Sequence, residues 1–437
     1  MSEAAATARV REPFDRRIAR AVQAVTGRAL GPYQTAIVRI GFSLTWLVFL
    51  LRELPHRHEM YGPDGPWSWE MARRLIADNR AFTVLMWSDG QLWFELVYGL
   101  AALSALLLLL GWHTRAVSVV FMVGVLSLQN RSVFLGDGGD NVLHLAAIYL
   151  VLTRCGQVWS LDARRAARRS REERDERDER EERDERDERG GDGAGARREL
   201  AGPLLWIVLG GFLLATIWFG DVTGEWWVSV LLWVLWLGHG LWWLVCRYAP
   251  GEPRTLLDVL ANLAHNAALV VIMAEVCLIY ATAGWYKIQG SRWQEGTALY
   301  YPLHLDYFSP WPALSELLGS SGIMVLLLSY GTVIVQVAFP FTLFNRKVKN
   351  VLLVAMMLEH AGIAVLLGLP VFSLAMISAD AVFLPTAFLV ALGVRVARGR
   401  DRLLGPLRGR LTGRGPAGAL PEQRRTAEEQ GPRTLVG

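Results

Sequence analysis

Residues 91–111 read QLWFELVYGLAALSALLLLLG, a run whose only charged side chain is Glu95. A helix rises about 1.5 Å per residue, so this run spans the roughly 30 Å of hydrocarbon in a bilayer, where a helix satisfies its own backbone hydrogen bonds. Outward from it, apolar runs recur at 34–52, 116–135, 139–154, 203–220, 226–246, 261–285, 321–344, 350–367 and 371–394. The pattern predicts an all-α, polytopic transmembrane bundle of about ten helices. Composition agrees: of 437 residues, 52% are hydrophobic and 20% charged, and the mean hydropathy is +0.27. That balance excludes an ordinary soluble enzyme.

Charge gives the orientation. With the N-terminus cytoplasmic, inside loops hold 36 Lys and Arg against 6 in the outside loops, which predicts that both termini face the cytoplasm. The start, MSEAAATARVREPFDRR, has no apolar core and does not read as a removable signal peptide. The net charge of +4 is confined to certain loops rather than spread into a stripe, so no nucleic-acid partner is expected. Cys155, Cys246 and Cys277 lie far apart and lack metal-ligand spacing.

The chain divides into a basic leader at 1–30, a first membrane block at 31–165, a charged low-complexity linker at 166–200, an inserted hairpin at 201–250, a second membrane block at 260–394 and a disordered cytoplasmic tail at 395–437. Within the leader, residues 12–27 place Phe14, Ile18, Ala21 and Val22 beside Arg16, Arg17 and Arg20. This suits either a short amphipathic helix on the inner leaflet or a solvated basic segment. The linker contains REERDERDEREERDERDER at 171–189, which has no apolar surface to bury. Many of the 18 tryptophans flank the apolar runs, as interfacial anchors do. The hairpin run WWVSVLLWVLWLGHGLWWLVC at 226–246 reads as lipid-facing, with His239 a structural histidine.

Ionisable groups inside spans are costly unless they face protein or water. Arg39, Glu95, His144, Glu275, Glu359, His360 and Asp380 are such groups, and each serves either to pair helices or to carry a function. Polar, glycine and aromatic residues gather on the predicted outside: YGPDGPWSW at 61–69, GDGGDN at 136–141, and YATAGWYKIQGSRWQEGTALYYPLHLDYFSP at 280–310. Asp137 and Asp140 suit a metal or a helix cap equally, and no metal site is assigned. Lys287 falls at the outer end of the seventh run between apolar residues and aromatics. There it is either a snorkelling cation or, as a neutral amine, a general base.

The stretch YATAGWYKIQGSRWQEGTALYY, with WSLDA at 159–163, GDGGDN and EHAGIAVLLGLPVFSLAMISADAVFLP at 359–385, resembles the bacterial horizontally transferred transmembrane (HTTM) family. That family is related to the membrane domain of vitamin K-dependent γ-carboxylase, and the resemblance covers roughly 30–165 and 260–390. It implies a multi-pass protein of the bacterial plasma membrane that acts on the extracytoplasmic side on a reduced quinone, menaquinol or vitamin K hydroquinone. Lys287 matches the base that deprotonates the quinol, and His360 matches a histidine in a later helix. Trp285, Tyr286 and Trp293 would line the quinol pocket. The family's histidine close after an asparagine is displaced here, since Asn141 is followed by Val142 and the nearest histidine is His144. The rival reading is a non-catalytic membrane protein that binds a lipid or quinone, or that assists maturation of a secreted peptide.

Overall fold

The computed structural model describes residues 14–79, 81–132, 134–184, 201–218, 226–249 and 251–411. Its long elements are helices: α1 (Phe14–Gly27), α2 (Pro32–Glu53), α3 (Gln91–Leu110), α4 (Thr114–Arg131), α5 (Gly138–Leu152), α6 (Leu161–Asp184), α7 (Ala201–Trp218), α8 (Trp226–Tyr248), α9 (Glu252–Gln289), α10 (Gly322–Ala338), α11 (Arg346–Leu366), α12 (Pro370–Asp380) and α13 (Thr386–Leu411). No strand occurs among the described residues.

Each apolar run of the sequence except the last coincides with a helix, but length and apolarity single out fewer spans than ten. Among the described residues, six helices are long and apolar enough to cross a membrane, or seven if Pro370–Phe383 and Thr386–Arg402 form one broken span. Gly138–Leu152 and Gly202–Ala215 are apolar but shorter. The run at 371–394 is not one helix: α12 ends at Asp380 and Leu384 is extended, with φ −63 and ψ 137. Pro385 explains the break, because its ring disfavours helical backbone at the residue before it. The carbonyls freed there are taken by side chains, Lys349 Nζ donating to Phe383 O at 2.5 Å and Gln34 Nε2 to Leu384 O at 2.9 Å.

The core joins α2, α3, α4, α5, α9 and α12 around Phe42, Trp46, Leu108, Phe121, Ala147, Ile272 and Met376, all nearly inaccessible. Small residues permit the closest approaches, as membrane helices require. A Cβ on Gly124 of α4 would stand 2.9 Å from that of Ala101 of α3.

Two buried arginines close opposite ends of this core. Arg39 Nη1 donates to Leu108 O at 2.6 Å and Nη2 to Trp159 O at 2.8 Å, which satisfies carbonyls at the open C-terminus of α3 and in the turn before α6. At the far end, Arg131 Nη2 donates to Gly62 O at 2.9 Å and Trp67 O at 2.8 Å, fixing the YGPDGPWSW turns. Beside Arg39, Asp162 of WSLDA accepts from the backbone N–H groups of His113 and Thr114 at 2.9 and 2.8 Å, capping α4. Arg165 bonds Asp162 at 2.6 Å and donates to His113 Nε2 at 2.9 Å. Burial, and then the Arg165 charge, hold the His113 imidazole below its ordinary value.

The helical part of the leader is tied down rather than loose. Asn262, His265 and Asn266 stand on one face of α9, and their side chains bond Thr26 O, Leu30 O and Val25 O at 2.8–2.9 Å. Its face with Ile18 and Val22 stays exposed, as an interfacial helix requires. Of the charged linker, the part to Asp184 continues α6 as a helix, while 185–200 lie outside the described residues, as do 1–13 of the leader and 412–437 of the tail. The described residues from Ala387 form a second unit, the remainder of α13, which carries an Arg400–Asp401 ion pair at 2.8 Å.

Candidate functional site

Lys287 is placed by the last turns of α9. Gly284, one turn earlier, lets α10 approach so closely that a Cβ there would overlap Val337. Gln336, buried on α10, thereby comes within reach, and Lys287 Nζ donates to Gln336 Oε1 at 2.6 Å. The other end of the same amide, Nε2, donates to Glu359 Oε1 of α11 at 2.5 Å. After α9 the chain turns at Gly290, whose N–H bonds Lys287 O at 3.1 Å, and the short helix Ser291–Gln294 returns Trp293 over the lysine. The ammonium nitrogen lies 5.4 Å from the Trp293 ring centre, in range for a cation–π contact.

Asn345 caps α11, accepting from Lys347 N and Val348 N at 3.1 and 3.3 Å, and so sets the register that presents Glu359 and His360. Leu353, Met356 and His360 share the buried face of α11 at helical spacing. Seven residues before Lys287, Tyr280 shares that stripe of α9, and its hydroxyl donates to Asp380 Oδ1 at 2.9 Å. The same hydroxyl meets His360 Nε2 at 3.0 Å. Because the phenol proton goes to Asp380, His360 Nε2 is the donor in that contact, which leaves Nδ1 as an acceptor. His360 Nδ1 and Asp380 Oδ2 have no hydrogen-bond partner among the described residues.

Two short chains thus lie side by side, Lys287–Gln336–Glu359 and His360–Tyr280–Asp380, joined by the peptide bond between Glu359 and His360. The second is buried, with Tyr280 1%, His360 2% and Asp380 0% exposed. The first is half-buried and opens beside Trp293. Trp285 and Tyr286 do not join it: they are 61% and 73% exposed and face away from the bundle. Of the five residues expected at the site, the structure brings Lys287 and Trp293 together, seats His360 against Tyr280, and leaves these two aromatics outside.

The remaining intramembrane charges have other duties. Glu95 accepts from Arg57 at 3.0–3.2 Å and lies 3.0 Å from His58 Nε2, a helix-pairing cluster. In GDGGDN the two aspartates cap α5 reciprocally: Asp137 Oδ1 accepts from Gly139 N at 2.6 Å and Asp140 N at 3.2 Å, and Asp140 Oδ2 from Asp137 N at 2.8 Å. Gln129 bridges this cap to His144, bonding Asp140 O at 3.1 Å and His144 Nδ1 at 3.1 Å. Gly139 also admits Phe372, whose ring lies 5.6 Å from that of His360, so the cap backs the buried chain. Among the described residues no three His, Cys, Asp or Glu side chains converge as metal ligands. Among the described residues Glu275 Oε1 has no hydrogen-bond partner.

Tyr280 and Gln336 are the two members that sequence reasoning passed over. Gln336 sat in view as the one amide within VIVQVAF, where a polar side chain in an apolar span asks for a partner. No protein-family model matches the chain, and no curated protein or solved structure gives a match.

Proposed function

We propose that this membrane protein is a quinol-using enzyme of the carboxylase or epoxidase type, with Lys287 as the base. The observation that carries the reading is the amide set between Lys287 and Glu359. A lysine in direct contact with a carboxylate is held as the ammonium, whereas Gln336 offers only a carbonyl dipole, and the Glu359 charge acts one group further away. The amine is therefore placed to take a proton. The ammonium so formed meets the Gln336 carbonyl and the Trp293 face, two stabilisers short of a full counter-charge.

A bound quinol would supply the acidic hydroxyl and the reducing equivalents for oxygen. Trp293 and Lys287 are the residues that would hold it, the ring on the indole and the hydroxyl on Nζ. His360 acts through its neighbours: with Tyr280 and Asp380 it fixes the α9–α11–α12 junction and so the direction of Glu359. It is a positioning residue in this reading. In this reading the site faces the extracytoplasmic side of a bacterial plasma membrane, an orientation that the loop charge asymmetry supports. On intact cells, an impermeant thiol reagent should label a cysteine at position 320 and not one at position 193; the reverse pattern inverts the orientation.

The test is purified protein with reduced menaquinone, oxygen and bicarbonate, followed for quinone epoxide. Lys287→Ala should lose turnover and regain part of it with small added amines. Equal turnover by wild type and Lys287→Ala would leave the non-catalytic reading, a lipid or quinone binder or an accessory to a secreted peptide.

A further inference from the structure

A cavity of about 1700 Å³ separates the α7–α8 hairpin from α3 and α4, away from the polar cluster. The hairpin holds itself together. Trp206 and Trp236 stack at 4.2 Å and exchange two indole-to-carbonyl hydrogen bonds, at 3.0 and 2.9 Å. Opposite, α3 presents Leu96, Leu100, Leu103 and Leu107, one face at helical spacing and largely uncovered by protein. From Leu96 to Leu107 that row runs about 16 Å, about the depth of one leaflet, and the lining continues past it to Trp93 near the start of α3 and Trp112 just beyond its end. Its end at the start of α3 is closed by Trp87 and Phe212, whose rings lie 4.9 Å apart.

The other end is basic. Arg115, Arg165 and Arg169 line it, beside the neutral His113. Asp162 is already engaged by the N–H groups of His113 and Thr114 and by Arg165. The Arg115 guanidinium stacks 4.0 Å from the Trp242 ring, which fixes its plane at the mouth. A planar guanidinium held in this way presents paired N–H donors suited to two oxygens of one phosphate. The cavity exceeds the roughly 300–1000 Å³ of sites for small molecules, and its charge lies at the end where a leaflet places its headgroups.

We propose that this cavity binds an anionic glycerophospholipid of one leaflet, with the phosphate on Arg115 and the acyl chains along the leucine row of α3. The inserted hairpin then serves as the outer wall of a lipid site, a role independent of any chemistry at Lys287.

The test uses the full chain in mild detergent, offered equimolar phosphatidylglycerol and phosphatidylcholine of the same acyl length, with retained lipid counted by native mass spectrometry. Wild type should keep phosphatidylglycerol at least about fivefold over phosphatidylcholine, roughly 1 kcal/mol of preference. Arg115→Gln should bring that ratio to near one. Val120→Trp, which fills the cavity from α4, should lower retention of both lipids and carries the test alone if Arg115→Gln does not fold. Equal retention of the two lipids by wild type, or an unchanged ratio in Arg115→Gln, overturns the proposal. So does unchanged retention in Val120→Trp. Glycerol phosphate should not be retained; if it is held as well as the lipid, the site takes a soluble anion and the proposal fails.

Discussion

The Arg39–Asp162 corner and the Lys287–Asp380 cluster are both built from charged groups inside a membrane bundle, yet they handle charge in opposite ways. At the corner, charge is spent on the backbone: Arg39 feeds carbonyls of α3 and the turn at Trp159, and Asp162 collects the N–H groups that open α4. In the cluster, side chains bond side chains across four helices, and acceptors are left over at His360 Nδ1 and Asp380 Oδ2. A charge spent on helix ends stabilises the fold, and the atom left over there, Arg39 Nε, is a donor that offers a proton no place to go. A network with spare acceptors stabilises less and keeps the capacity to move a proton.

The contrast breaks most visibly at Arg39. Arg39→Ala removes a charged donor from buried carbonyls and should cost about 3 kcal/mol or more, read as a lower melting temperature in detergent. Retention of wild-type stability would mean that the corner is not the lock described here. On the other side of the comparison, Gln336→Glu puts a carboxylate directly on Lys287 and holds it as the ammonium. Turnover should fall about a hundredfold, roughly 2.7 kcal/mol in the barrier, with folding kept. A variant as active as wild type would show that the interposed amide is irrelevant.

A smaller effect is expected from Asp162→Asn, which keeps one acceptor at the start of α4 but loses its charge and should cost about 1–2 kcal/mol in stability without touching turnover. The smallest is a pH effect at His113. Its folded-state value lies below the unfolded one, so the neutral ring suits the fold, and acceptance of the Arg165 N–H requires it. Stability from this group is complete above the unfolded value near 6.5 and declines as pH falls below it. Melting curves between about pH 7 and pH 5 should therefore fall less steeply for His113→Gln than for wild type, and parallel curves would remove His113 from the corner's account.

Much of the fold was legible because hydrophobic runs at helix length are a strong signal. The broken helix at 371–394 was missed because the run carries Asp380 as its one charged residue through Leu384, and only Pro385 marks the interruption. The site was legible in its ionisable members: Lys287, Glu359, His360 and Asp380 each stand out as costly inside a span. Tyr280 and Gln336 connect them but carry no charge, and Tyr280 within LIYATAGWY reads like an interfacial aromatic. Trp285 and Tyr286 drew attention as neighbours of Lys287 in sequence. Successive helical residues point about 100° apart, so adjacency placed them on another face. The two aspartates of GDGGDN read equally as a cap or a metal pair, and the reciprocal cap is visible only in the folded structure.

The account turns on whether Lys287 must give up and regain a proton, and Lys287→Arg asks this with the charge and hydrogen bonding largely kept. Arginine retains its proton at physiological pH, so the variant should melt close to wild type yet form no epoxide from reduced menaquinone, oxygen and bicarbonate. Wild-type epoxide formation by a folded Lys287→Arg protein would contradict the assignment of Lys287 as the base.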